Sequence, residues 1–160
     1  MIGSRVHELG VSCVKANKNW SRMARQNPEA KGPSSGIEMQ WVVELHREFD
    51  PEFMQLPLSV QQMILAHAEL LRKLGPQLGR KQVDTLKGSK HANMKELRFD
   101  ADDGCWRVAF AFDVKRGAVL LVAGDKSGVS QDKFYRNLIK IADRRFDQHQ
   151  RAVANEKERK

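Results

Sequence analysis

The chain has 160 residues, 41% of them hydrophobic, and a formal net charge of +8 with a sequence pI near 9.7. That length fits one domain with room for a core, and the charge favours a polyanionic partner, nucleic acid or an acidic protein. The two cysteines, Cys13 and Cys105, form no C-x-x-C pair, which supports neither a disulfide framework nor a zinc ribbon. Cys105 falls in an apolar strand, where a thiol packs as a small hydrophobe. The start, Met1-Ile-Gly-Ser-Arg-Val-His-Glu8, lacks the apolar core of a secretory signal, and no run nears the roughly 20 apolar residues of a membrane helix. A cytoplasmic protein without membrane contact is expected.

Residues 1–38 hold scattered apolar residues and end in Lys31-Gly-Pro-Ser-Ser-Gly36, a linker composition. They read as a disordered extension, or as a misassigned start with translation beginning at Met39. The competing reading is a short helix near Trp20–Gln26 docked on the domain. The domain itself is placed at 39–149, with 150–160 as a charged tail that frays.

Gln40-Trp-Val-Val-Glu-Leu-His46 reads as the first strand. Asp50-Pro51 opens a short helix, and Ser59 caps a second that runs to Leu74. Val60, Met63, Ile64, His67, Leu70, Leu71 and Leu74 form one stripe at helical spacing. His67 belongs to that stripe as a core-edge residue, and Gly75-Pro76 ends it. Residues 77–93 read as a loop closing on Leu86-Lys-Gly-Ser-Lys-His-Ala-Asn93. Three antiparallel strands follow over 94–100, 105–113 and 118–124, joined at Ala101-Asp-Asp-Gly104 and Lys115-Arg-Gly117. Ser130 caps a last helix to about His149. The order strand, two helices, three antiparallel strands, helix defines an α+β domain, with helices on one face of the sheet and the other face partly open.

Alternation along the strands puts Leu97 and Phe99 on one face and Glu96 and Arg98 on the other. On the next strand, Trp106, Val108 and Phe110 oppose Arg107, Ala109 and Ala111. With Asp102-Asp103 at the turn, Phe99 faces Trp106 and Leu97 faces Val108, which sets Arg98 opposite Arg107. A one-residue slip mixes the faces. Two facing like charges cost up to about 1 kcal/mol. Either Glu96 offsets them internally, or a phosphate held between the guanidiniums does. The small Ala109 and Ala111 keep that face shallow and open to a ligand.

The run Leu86-Lys-Gly-Ser, Lys95-Glu-Leu-Arg98, Trp106-Arg-Val108, Leu120-Leu-Val-Ala-Gly-Asp-Lys126, Phe134-Tyr135 and Ala142-Asp-Arg-Arg145 resembles the RelE/ParE toxin superfamily. It is closest to its HigB-like, phage-derived branch. The resemblance covers about residues 39–149 and implies a RelE-like fold. It implies the toxin of a type II toxin–antitoxin system, a ribosome-dependent mRNA endoribonuclease that uses no metal or cofactor, with a helix-turn-helix antitoxin as partner. By position, Arg107 takes the scissile phosphate, Lys126 is the basic residue ending the last strand, and Tyr135 orients the base or moves a proton. Lys87, Lys90 and His91 fall in the basic loop before the sheet, and Arg98 is the arginine of the Glu-Leu-Arg strand. The chain departs from RelE-like members in holding Met94 and Glu96 where those carry lysines, and the HigB-type carboxy-terminal Asp-Tyr-His cluster is not evident.

Cleavage of this kind needs a base, an acid and cations for the developing charge. His91 is a candidate base or acid because imidazole titrates near neutrality. Lys133 and Arg136 are candidates for binding RNA backbone. No P-loop, H-E-x-x-H or Ser-His-Asp spacing occurs. Two alternatives stand beside the nuclease: a ParE-like gyrase inhibitor, and a non-catalytic basic RNA- or protein-binding module.

Overall fold

A computed structural model describes residues 40–160; the extension at 1–38 lies outside the described residues. Strand β1 is Val42–Leu45, helix α1 Phe49–Gln55 and helix α2 Leu58–Leu74, followed by a 3-10 turn at Gly75–Gln77. Then come β2 (Val83–Thr85), β3 (Met94–Ala101), β4 (Gly104–Phe112), β5 (Gly117–Asp125) and helix α3 (Gln131–Glu158). The domain is α+β, with a five-stranded sheet in the order β1-β5-β4-β3-β2. Strand β1 joins β5 in parallel, and the remaining pairs are antiparallel.

The hairpin register is the expected one: Leu97 faces Val108, Arg98 faces Arg107 and Phe99 faces Trp106. Its turn residues Asp102 and Asp103 both have positive φ, +51° and +57°, as a two-residue type I′ turn requires. Gly75 ends α2 at φ +53°, and a Cβ there would lie 2.1 Å from Trp41 Nε1. Backbone sign and packing thus demand glycine together. Ser130 precedes α3 and Pro57 precedes α2, but neither end has a side-chain cap hydrogen bond. His67 sits at the core edge, stacked on Phe99 at 5.2 Å.

Several sequence expectations need correction. Residues 77–93 are not all loop: Val83–Thr85 pairs with β3 and carries Asp84 opposite Glu96. At three residues β2 is too short to show alternation. Helix α3 does not stop near His149 but runs to Glu158. Buried Val153 and the ion pair of Glu156 with Lys115 (2.7 Å) hold its last turns, and the Ala, Glu, Lys and Arg there favour helix. Cys105, expected to pack, is exposed.

The second face of the sheet is not open. Helices α1 and α2 place Phe49, Phe53, Val60, Ile64 and Leu71 on Leu97, Val108, Phe110 and Leu120. Helix α3 lays Phe134, Leu138, Ala142 and Phe146 on the opposite side, over Met94, Ala109, Ala111 and Val119. Ala109 and Ala111 are fully buried. Their small side chains admit a helix close to the sheet rather than a ligand.

A bulge fixes what α3 meets. Ala109 pairs with Val122 but Phe110 with Leu120, so Leu121 is an extra residue in β5. Val119, Leu121 and Val122 all join the α3 core. Beyond the bulge the parity is reversed, and Gly124 lies under Phe134. Arg145 of α3, buried to 4% exposure, donates from Nη1 to the Leu121 carbonyl at 2.7 Å and also pairs with Glu48 and Glu52 beside and within α1.

Candidate anion-binding cleft at the start of helix α3

The candidate site lies where the first turn of α3 packs over β3, β4 and the end of β5. Arg107 on β4 is opposite Arg98 on β3 and Gly124 on β5. It is 8% exposed; Nη1 donates to the Trp106 carbonyl at 2.8 Å, and the buried Nε has no partner. A buried guanidinium with an unused donor is costly.

Gly124 makes the approach of α3 possible. A Cβ there would sit 3.0 Å from Phe134 Cε2, so the Phe134 ring rests on bare backbone and Tyr135 follows into the cleft. Gly124→Ala is expected to push back the first turn of α3, lowering stability by about 1–3 kcal/mol. Chemical denaturation checks the loss.

Tyr135 donates its hydroxyl to Glu96 Oε1 at 3.3 Å. Glu96 is 5% exposed, and its Oε2 has no partner. Burial pushes its carboxyl above the usual carboxylate range, outweighing the Tyr135 hydrogen bond and the nearby Arg107 and Arg98 charges. Burial likewise raises the Tyr135 hydroxyl, against the pull of the Arg107 guanidinium. Arg98 reaches Asp84 Oδ2 at 3.2 Å and Glu96 Oε1 at 3.7 Å. Lys126 holds its Nζ 5.9 Å from the Tyr135 ring centroid, within cation–π range. The facing arginines therefore do have carboxylates beside them, one from the expected Glu96 and one from the unforeseen β2.

The fold thus brings Arg98, Arg107, Lys126 and Tyr135 together and adds Glu96, which the sequence offered only as a neutraliser. Alternation placed Glu96 on the Arg98 face, opposite Ala109, but nothing in the sequence showed that α3 covers that face and takes its water away. Lys133 and Arg136 flank Tyr135 on the exposed side of α3. Lys87 is exposed beside Gly88, where a Cβ would lie 3.4 Å from Ile139 Cδ1, one turn along α3 from Tyr135.

His91 and Lys90 are not brought to the cleft. His91 Nε2 lies 2.9 Å from Asp147 Oδ1, and its ring packs edge-on to Phe146. Lys90 pairs with the same Asp147, and the Lys90 amide donates to Asp143 at 3.2 Å. Asp147 is 12 residues beyond Tyr135, about 18 Å along the helix. The two side chains fasten the loop to α3, so His91 does not serve the Arg107 cluster.

Arg98, Arg107 and Lys126 thus stand around the buried Glu96 and its partner Tyr135 in this α+β domain. The family described as "Phage derived protein Gp49-like (DUF891)" matches residues 51–147, and the chain belongs to it. Two proteins of Mycobacterium tuberculosis (strain ATCC 25618 / H37Rv) are similar to it over 95 residues at 41% identity. "Putative toxin HigB2" aligns over 59% of this chain and 47% of its own length, so the chain spans about half of that relative. "Putative toxin HigB3" aligns over 59% of this chain and 81% of its own length. A solved structure of an E. coli RelE toxin double mutant in the free state superposes with a TM-score of 0.44 at 8% identity, covering 63% of this chain and 95% of that one.

Proposed function

We propose that the chain is the toxin of a toxin–antitoxin pair and acts as a ribosome-dependent mRNA endoribonuclease. The observation that carries this reading is Arg107, nine-tenths buried with an unpartnered Nε, set between Arg98 and the Tyr135–Glu96 pair. The similarity to the two HigB relatives supports the toxin role. In the reaction, a ribose 2′-hydroxyl attacks the adjacent phosphate and the 5′-oxygen of the next nucleotide leaves. Glu96 accepts the 2′-proton; a carboxyl raised by burial is a stronger base than an exposed one. Tyr135 returns a proton to the leaving oxygen. Arg107 holds the phosphate oxygens, Arg98 and Lys126 balance the added charge, and no metal takes part. Lys87, Lys133 and Arg136 contact RNA backbone around the cleft. The partners are a helix-turn-helix antitoxin and the translating ribosome of the cytoplasm.

Induced expression in a bacterial host with mapping of mRNA 5′ ends tests this. Cuts within translated codons support it. Growth arrest without cuts points instead to a ParE-like action on gyrase, and neither arrest nor cuts to a non-catalytic binding module.

Glu96→Gln separates chemistry from stability. The folded carboxyl titrates above its unfolded value, so below the unfolded pKa both states are protonated and nothing is lost. As pH rises through the unfolded value toward the folded one, only the unfolded state ionises freely, and stability falls. The variant is expected to flatten that fall and match or exceed wild-type stability at neutral pH while cleaving about 10²-fold more slowly. Urea denaturation at a series of pH values checks the slope; single-turnover cleavage checks the rate.

A further inference from the structure

A second cluster lies at the far end of α3. His149 Nε2 is 3.0 Å from Asp113 Oδ2, and Nδ1 is 3.6 Å from Glu44 Oε1. One donor atom from each of the three lies within 4.8 Å of the others. They come from separate elements: β1, the turn after β4, and α3. Asp113 is oriented in advance. Its Oδ1 accepts the Lys115 and Gly117 amides at 2.8 and 2.7 Å, leaving Oδ2 toward His149. Burial opposes its ionisation, but the His149 and backbone bonds outweigh it and hold the carboxyl below the ordinary range. The His149 ring stacks on Phe146 at 6.2 Å. Such outer contacts are what fix a metal ligand's direction.

Two carboxylates face one imidazole in a protein that is otherwise basic, and nearby Glu156 is taken up by Lys115. Glu44 lies at ion-pair distance from the ring without a hydrogen bond to it, and its side chain is 52% exposed and free to turn. A mostly apolar cavity of about 250 Å³ adjoins the cluster, with Asp113, His149, Asn93 and Gln150 on its wall and Lys157 at its other polar point.

We propose that Glu44, Asp113 and His149 bind a divalent transition-metal ion of the Zn²⁺ class, with water completing the shell. Bonds of about 2.0–2.2 Å at tetrahedral angles put donors about 3.3 Å apart, which the present arrangement reaches by a rotation of Glu44. The imidazole donor selects Zn²⁺ over Mg²⁺ or Ca²⁺, which take all-oxygen shells. His149 is 14 residues past Tyr135, about 21 Å along the helix. The ion is therefore a clip between the edge strand, the β4–β5 turn and α3, and has no part in cleft chemistry.

Calorimetric titration of the full, chelator-stripped chain with ZnCl₂ tests this, alongside thermal midpoints with ZnCl₂ and with MgCl₂. The wild type is expected to bind Zn²⁺ at a single site and melt higher with it, with no response to Mg²⁺. Glu44→Gln, on an exposed side chain that the fold does not need, and His149→Gln are each expected to bind at least about tenfold more weakly. No Zn²⁺ binding by the wild type, an equal response to Mg²⁺, or undiminished binding by both variants overturns the site.

Discussion

Arg107→Ala is expected to abolish growth arrest and codon-centred mRNA cuts while the domain still folds. Removing one preorganised donor from developing transition-state charge costs about 10²–10³ in rate. Arg107 is the best-placed donor, held 2.8 Å from the Trp106 carbonyl with Nε unused. The same unused Nε limits the structural cost. The variant loses one backbone hydrogen bond but also a buried, unpaired donor, so stability should change by no more than about 1–2 kcal/mol. Lysine at 107 keeps the charge without the fork and should fall between. Mapping of 5′ ends for wild type and variant, with denaturation curves for both, checks the pairing of lost activity with retained fold. A folded Arg107→Ala protein with undiminished cutting would remove Arg107 from the site.

Arg145→Ala is expected to destabilise the domain by about 3 kcal/mol. Arg145 ties the bulge carbonyl of Leu121 to Glu48 and Glu52 from a position 4% exposed. Alanine leaves the Leu121 carbonyl without this donor and Glu52 with water alone, while Glu48 keeps Arg144 at 2.8 Å. For a domain of this size the loss corresponds to a fall of roughly 10 °C in Tm. Arg145→Met restores packing volume without the donors, so its remaining deficit reads the hydrogen bonds alone. Differential scanning calorimetry of the two variants makes the comparison. A loss under about 1 kcal/mol for alanine would mean that the bulge holds without its clamp.

The hairpin was legible from sequence because strand alternation has a strict period of two. Only one register matches Leu97 to Val108 and Phe99 to Trp106, and that register forces Arg98 against Arg107. The stripe on α2, apart from Leu70 and Leu74, which are exposed, and the stop at Gly75 were legible for the same kind of reason, a local period ended by a local backbone requirement. His91 shows the limit. A histidine in a basic loop looks chemical until Asp147, 56 residues away, takes its ring.

Length, charge, the α+β order, the facing arginines and the family resemblance were determined by the sequence by itself. Tertiary structure alone decided that α3 covers the second face, that Asp84 reaches Arg98 from a three-residue strand, and that Glu96 is buried with a raised carboxyl. It also decided the face of Gly124, because one extra residue at Leu121 reverses every side chain that follows. The physical reason is common to all four. Burial and partnership come from segments distant in the chain, and neither a period nor a propensity carries information about what will cover a residue.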